Sequence, residues 1–251
     1  MIQAVLFDLG GTLHTADSPK GRQNWFAQRL LERLRDYGIT LDVQAEELAS
    51  LLKQNGEIYK HHSEKTLREL PADEIWSEFY LHGLGVSREQ LSPIAEELSF
   101  LYDYERMRVM RRPHLAETIT GLRAMGLRLG LISNIISRSV APHFLEEYGI
   151  ADEMDCVILS SVTGIRKPDA GIFRIAEREM GLGPESLAYV GDTLSRDVLG
   201  VRNAGWRCMI QIKNPSVRHR DVAFEGTGLV PDYLIEDLAE IPALIEKENQ
   251  K

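Results

Sequence analysis

The chain of 251 residues is long enough for one large domain or two smaller ones, and its 43% hydrophobic and 27% charged composition is that of an ordinary globular protein. A net charge of −9 excludes a nucleic-acid binder that works through a broadly basic surface. Two distant cysteines, Cys156 and Cys208, exclude a disulfide framework and a Cys-x-x-Cys zinc site, and no apolar run approaches the roughly 18 residues of a membrane span. The opening MIQAVLFD lacks the positive lead of a signal peptide. The expectation is a cytoplasmic protein, monomeric or homodimeric, with no nucleic-acid or membrane partner.

In chain order, residues 2–9 (IQAVLFDL) are a short, nearly continuous apolar run bounded by Gly-Gly, which predicts a buried parallel strand. From about Gly21 to about Met107 the pattern is helical with no strand signal. RQNWFAQRLLERLRDYG places Trp25, Leu30, Leu31 and Leu34 at helical spacing and stops at Gly38. Leu41–Lys60 repeats the pattern, with Leu48, Leu51, Leu52 and Ile58 on one face. ADEIWSEFYLHGLG and REQLSPIAEELSFLYDYERM predict two or more further helices.

After Pro113, strands return in alternation with helices. The pattern predicts a helix over His114–Met125, a strand LRLGLIS, a helix over Ser137–Tyr148, the strand CVILS and a helix from Pro168 to about Met180. It continues with the strand LAYVGD, a helix over Ser195–Ala204, the strands WRCMIQI and YLI, and a closing helix Ala239–Glu246. Alternation of this kind predicts an α/β fold, a Rossmann-like parallel sheet sandwiched by helices. A helical block is inserted after the first strand.

Ligands of open α/β sheets lie at the carboxyl ends of the strands, so Asp8, Ser133 with Asn134, and Asp192 are the candidate site residues. Gly191-Asp192-Thr193-Leu194-Ser195-Arg196-Asp197 follows a strand and opens a helix. Its two carboxylates, joined by Asp8, would form an oxygen-rich site suited to Mg²⁺. Lys167, beside a Pro168 expected in a first helical turn, can neutralise a phosphoryl oxygen or hold an Asp anion in place.

Asp8-x-x-Gly11-Thr12, Ser133-Asn134, Lys167-Pro168 and Gly191-Asp192 with Asp197 fall in the order and context of the four motifs of the haloacid dehalogenase-like (HAD) hydrolase superfamily. The sequence resembles that superfamily across essentially its whole core. By this resemblance, residues 1–17 and 108–251 form the HAD-like α/β core, and residues 18–107 form an α-helical cap. The resemblance implies a hydrolase of phosphatase type in which Asp8 is the nucleophile and forms an aspartyl-phosphate. It implies Mg²⁺ held by Asp8, the Gly10 carbonyl and Asp192, with Asp197 contributing directly, through water, or by positioning Lys167. Ser133 and Lys167 would hold the transferring phosphoryl group, with Asn134 and the Gly11 backbone in the phosphate-binding set and Thr12 in the catalytic set. The substrate would be a small phosphorylated metabolite.

The sequence departs from the family pattern at Gly10, where the family's phosphatases carry a second Asp that transfers protons. Loss of such a group typically costs about 10²–10⁴ in rate. Three readings follow. The leaving group needs little acid help; another residue such as His14, His61 or His62 substitutes; or the protein is a non-catalytic or regulatory ligand binder. Relatives that cleave carbon–halogen or carbon–phosphorus bonds also lack this Asp. The latter need a reactive cap lysine, for which Lys20, Lys53, Lys60 and Lys65 are undistinguished candidates.

Plainer readings compete at several positions. Asn134 can cap a helix, Asp197 can favour a helix dipole, and His61-His62 can lie on a solvated face. Trp25, Phe26, Phe79 and Tyr80 are expected in the core of the helical block rather than around a ligand. His219-Arg220-Asp221 matches a kinase triplet by chance, since nothing else of a kinase surrounds it. The opening stretch also resembles the phosphate loop of actin-like sugar kinases. Those continue into a β-hairpin and carry a second nucleotide-binding domain, whereas this chain continues into helices.

Overall fold

The computed structural model describes residues 1–224 and 226–251, the side chains of 218 and 220 excepted. Strands β1 (Ala4–Phe7), β4 (Arg128–Ser133), β5 (Cys156–Leu159), β6 (Leu187–Gly191), β7 (Cys208–Ile212) and β8 (Tyr233–Ile235) form one parallel sheet in the order β5-β4-β1-β6-β7-β8. β1 is central, which is why AVLF is apolar without alternation: all four residues are buried. Val5 and Phe7 join a core cluster on one face, built with α6 (Leu115–Ala124), α7 (Val140–Glu147) and α12 (Ile241–Asn249). Ala4 and Leu6 join a second cluster with α9 (Ala170–Met180) and α10 (Leu199–Ala204) on the other face. Phe7 pairs with Leu131 on one side and Val190 on the other, so the three middle strands end nearly level.

Between β1 and β4 lies a helical segment of α1 (Arg22–Asp36), α2 (Ala45–Thr66), α3 (Ala72–Ile75), a π turn (Trp76–Tyr80), α4 (Arg88–Leu91) and α5 (Ala95–Glu105). It has its own buried cluster, to which, among the described residues, only Ile136 comes from outside the segment. Two expected core positions are corrected here. The buried face of α1 runs Phe26, Leu30, Leu34, and Trp25, one residue round the helix, is 43% exposed with Arg22 stacked on its ring. On α2 the buried row is Leu48, Leu52, Tyr59, which turns Ile58 outward.

Further differences from expectation have local causes. β2 (His14–Asp17) pairs antiparallel with β3 (Arg108–Arg111), framing the helical segment where no strand was expected. The two strands are short, polar and far apart in sequence, so no period-2 signal marks them. Chain 137–139, expected in a helix, instead wraps the Glu96 carboxylate, which accepts from Ser137 Oγ (2.8 Å), Ser139 N (3.1 Å) and Ser139 Oγ (2.6 Å). α7 therefore begins only at Val140. The helix after Lys167 begins at Ala170, capped by the Asp169 side chain on Gly171 N–H (2.7 Å), so Pro168 lies ahead of it. The helix expected at Ser195 opens as a π turn over Leu194–Val198 before α10. Short helices α8 (Ser160–Thr163) and α11 (Arg218–Asp221) complete the chain. No described helix is long and apolar enough to cross a membrane, and Cys156 and Cys208 are free and buried.

Candidate active site

At the carboxyl edge of the sheet, residues following β1, β4 and β6 converge on a cavity of about 390 Å³ lined by Asp8, Gly10, Gly11, His14, Ser133, Asn134, Lys167, Asp192 and Asp197, among others. Ligand atoms of Asp8, Asp192 and Asp197 lie within 4.8 Å of one another. Lys167 joins them: its buried Nζ donates to Asp8 Oδ1 (2.7 Å), Asp197 Oδ1 (2.7 Å) and the Tyr189 hydroxyl (2.8 Å). Tyr189 in turn donates to the Ile132 carbonyl (2.8 Å). The second oxygen of Asp197 accepts from Asp192 N–H (3.2 Å), Thr193 N–H (2.9 Å) and Thr193 Oγ1 (2.7 Å). Gly191 makes this possible, because a Cβ there would meet Asp197 Cγ at 2.4 Å.

Burial sets the electrostatics. It raises the Asp8 carboxyl, and Lys167 opposes it. Burial, then the Asp8 and Asp197 carboxylates, push Asp192 up to about 8. Lys167 is raised, since its two carboxylates outweigh its desolvation. Asp197 is lowered: burial is opposed by the Lys167 charge and by the donors on its second oxygen. With all three carboxylates ionised, three negative charges face one ammonium in a buried space, and the rise of Asp192 reflects that excess. Hard oxygen donors with that excess fit a divalent cation such as Mg²⁺.

The two glycines of the first loop behave differently. Gly11 has φ +91°, and a Cβ there would meet Asp192 Oδ2 at 1.9 Å, so only glycine fits. Arg112 holds this turn through the Gly11 carbonyl (2.6 Å from Nη2). Gly10 has room: the one neighbour of a Cβ there is His14 Nε2, at 3.9 Å. His14 is buried, its Nδ1 lies 2.9 Å from the Tyr148 hydroxyl, and burial followed by the Arg112 charge lowers it to about 4.

Other expected residues fare unevenly. Ser133 is buried and lines the cavity. Asn134 lines it too, yet its amide is engaged with the Lys167 backbone, donating to the carbonyl (3.0 Å) and accepting from the N–H (2.9 Å). Through these two bonds it fixes the lysine backbone. Thr12 lies apart from the others. The tight turn in which Leu9 O accepts from Thr12 N–H and Leu13 N–H carries its side chain into the interior, away from the cavity lining. His61 and His62 line neither this cavity nor its neighbour. The Arg220 side chain lies outside the described residues, while Asp221 accepts from Leu194 N–H (2.9 Å) and so braces the π turn.

Two residues were missed. Asn214 donates to Asp192 Oδ2 (2.7 Å), and it follows β7, where the strand-end rule applied to Asp8 and Asp192 would have found it. Tyr189 sits inside an apolar strand and carries no such signal.

The family model of haloacid dehalogenase-like hydrolases matches residues 2–205. A glyceraldehyde 3-phosphate phosphatase of Methanopyrus kandleri is 26% identical over 242 residues, covering 94% of each chain. A phosphoglycolate phosphatase of Shigella boydii is 29% identical over 218 residues, covering 81% of this chain and 79% of the relative. The crystal structure of a 2-haloacid dehalogenase from Pseudomonas syringae superposes with a TM-score of 0.64 at 22% identity, covering 98% of this chain and 99% of that one.

Proposed function

The chain belongs to the haloacid dehalogenase-like hydrolase family, and on that premise we propose that it is a Mg²⁺-dependent phosphatase of small phosphorylated metabolites. The observation that carries this reading is Lys167 Nζ held 2.7 Å from both Asp8 and Asp197, with Asp192 in the same cluster. Asp8 attacks phosphorus: a bond forms from its carboxylate oxygen to phosphorus as the bond to the leaving oxygen breaks, giving an aspartyl-phosphate. Water then attacks that phosphorus, and the Asp8 carboxylate leaves with inorganic phosphate released. Lys167 and Ser133 bind the phosphoryl oxygens, which carry the spreading charge of the transition state.

Asp8, Asp192 and the Gly10 carbonyl would hold Mg²⁺, which supplies charge neutralisation at the phosphoryl oxygens when bound. Asp197 serves best as a positioning residue, because both its oxygens are already engaged by Lys167, Asp192 and Thr193. Residues 18–107 act as the cap that closes over residues 1–17 and 108–251. His14 stands beside that position, its Nε2 3.9 Å from where a Gly10 Cβ would lie, and as a residue of the cavity lining it is the candidate to hydrogen-bond the leaving-group oxygen. A carbon–halogen cleaving role is disfavoured by the excess of buried carboxylates, which asks for a cation.

The test is turnover of a panel of phosphate monoesters with Mg²⁺, run beside Asp8→Asn and Gly10→Asp. Asp8→Asn is expected to remove turnover, by about 10³-fold or more. Gly10→Asp, for which the Cβ space is open, is expected to raise turnover of alkyl phosphates by about 10²-fold. Wild-type turnover no better than Asp8→Asn across the panel would overturn the hydrolase reading.

A further inference from the structure

Resting on that reading, we infer that the substrate carries a second anionic group, recognised by Arg106 and Arg196 where the active-site cavity meets a second cavity in the helical segment. This second cavity, of about 310 Å³, shares Asp103, Arg106, Asn134, Ile135 and Arg196 with the first. The two arginines therefore stand on the wall common to the cavity that holds Asp8 and its neighbour.

The two arginines have capacity to give. Arg106 stays in place by stacking on Tyr102, 4.3 Å from the ring centroid, and makes no ion pair among the described residues. Its Nε is buried without a hydrogen-bond partner. An unpaired buried donor is costly, so a guanidinium kept this way gains most from an acceptor that arrives with the ligand. Arg196 gives Nη2 to Glu64 (2.6 Å), and its Nε is likewise buried without a partner. The remaining charges of the second cavity are largely matched. Lys60 pairs with Glu57 (2.9 Å) and Arg166 with Glu69. Asp103 accepts from Ser137 N–H (3.0 Å) and also feels the charge of Arg106, with which it forms no ion pair among the described residues. The balance along this wall is positive. The terminal nitrogens of a guanidinium fork that lines the cavity match a planar carboxylate, and they match the oxygens of a second phosphate equally.

The experiment compares the phosphate monoester of a short hydroxy acid with its primary amide, which differ only in the distal charge. The wild type with Mg²⁺ is expected to show a KM for the acid about tenfold or more below that for the amide, with similar kcat. Arg106→Gln should bring that ratio near one by raising KM for the acid alone, and Arg106→Lys should keep part of it. A variant that merely unfolds lowers kcat for both esters alike, and Arg106→Lys then decides. Calorimetric binding of both esters to Asp8→Asn reads recognition without turnover. Acid-selective binding there, with no wild-type turnover of either ester, upholds the anion site and overturns the hydrolase reading. Equal affinity for acid and amide, or a ratio unmoved by either Arg106 variant, overturns the anion site. A bis-phosphate preferred over the acid assigns the second anion to phosphate within the same inference.

Discussion

At the sheet edge, Asp197 accepts from four donors and Lys167 gives all three of its ammonium protons, whereas across the cavity Arg106 keeps a buried Nε with no partner. The first arrangement holds its groups rigid, because each partner fixes the next. The second leaves capacity for something that comes and goes. A site that must do the same chemistry at every turnover is built from satisfied groups, and a site that selects is built from unsatisfied ones.

The most severe way to break the sheet-edge network is Lys167→Met, which leaves Asp8 and Asp197 buried without their cation. It is expected to cost about 3–5 kcal/mol in denaturant unfolding. A loss below 1 kcal/mol would mean that the network is not holding the two carboxylates together.

A gentler probe is the cation itself. Asp192 is raised to about 8, so its protonated form favours the folded state. That contribution is complete below the ordinary carboxylate value of 3.8 and is lost as pH rises toward about 8. The metal-free protein is therefore expected to lose stability between about pH 4 and pH 8. Because Mg²⁺ would bind the ionised carboxylates, its effect is expected to grow over the same window. At 100 times its Kd it adds about 2.7 kcal/mol, roughly 5–10 °C in Tm. Calorimetry showing no Mg²⁺ shift at pH 8, or a larger one at pH 5, would contradict the carboxylate cluster as a cation site.

The same contrast governs what the sequence reveals. Asp8, Ser133, Lys167, Asp192 and Asp197 are legible because each stands at the end of an apolar strand or beside a helix start, and local pattern locates both. The sheet itself is legible for the same reason. Tyr189 is hidden, since an aromatic inside a buried strand reads as core until its hydroxyl is seen under Lys167. Arg106 is hidden too, as one cation among many on a helical segment, and its importance is the partner it lacks. The β2–β3 pair joins His14 to Arg111 across the whole helical segment, a contact that no local period encodes. Trp25 and Phe26 show the limit of helical patterning, because neighbouring aromatics compete for one face and packing chooses between them.

Gly10 and Gly11 repeat the contrast on the smallest scale. Gly11 is required by a positive φ and by the approach of Asp192, so it is fixed by geometry. Gly10 is not: the space beside it is open as far as His14, so its lack of a side chain is chemical rather than steric.

Asp8 is the proposed nucleophile, and the assignment rests on its place beside Lys167 and Asp192. It is tested most directly by acid quench of a reaction with ³²P-labelled substrate and Mg²⁺, followed by mapping of the labelled peptide. Transient covalent ³²P is expected on the peptide that contains Asp8 and is expected to be absent in Asp8→Asn. Steady turnover with no label on that peptide at any time, or label at another residue, would contradict it.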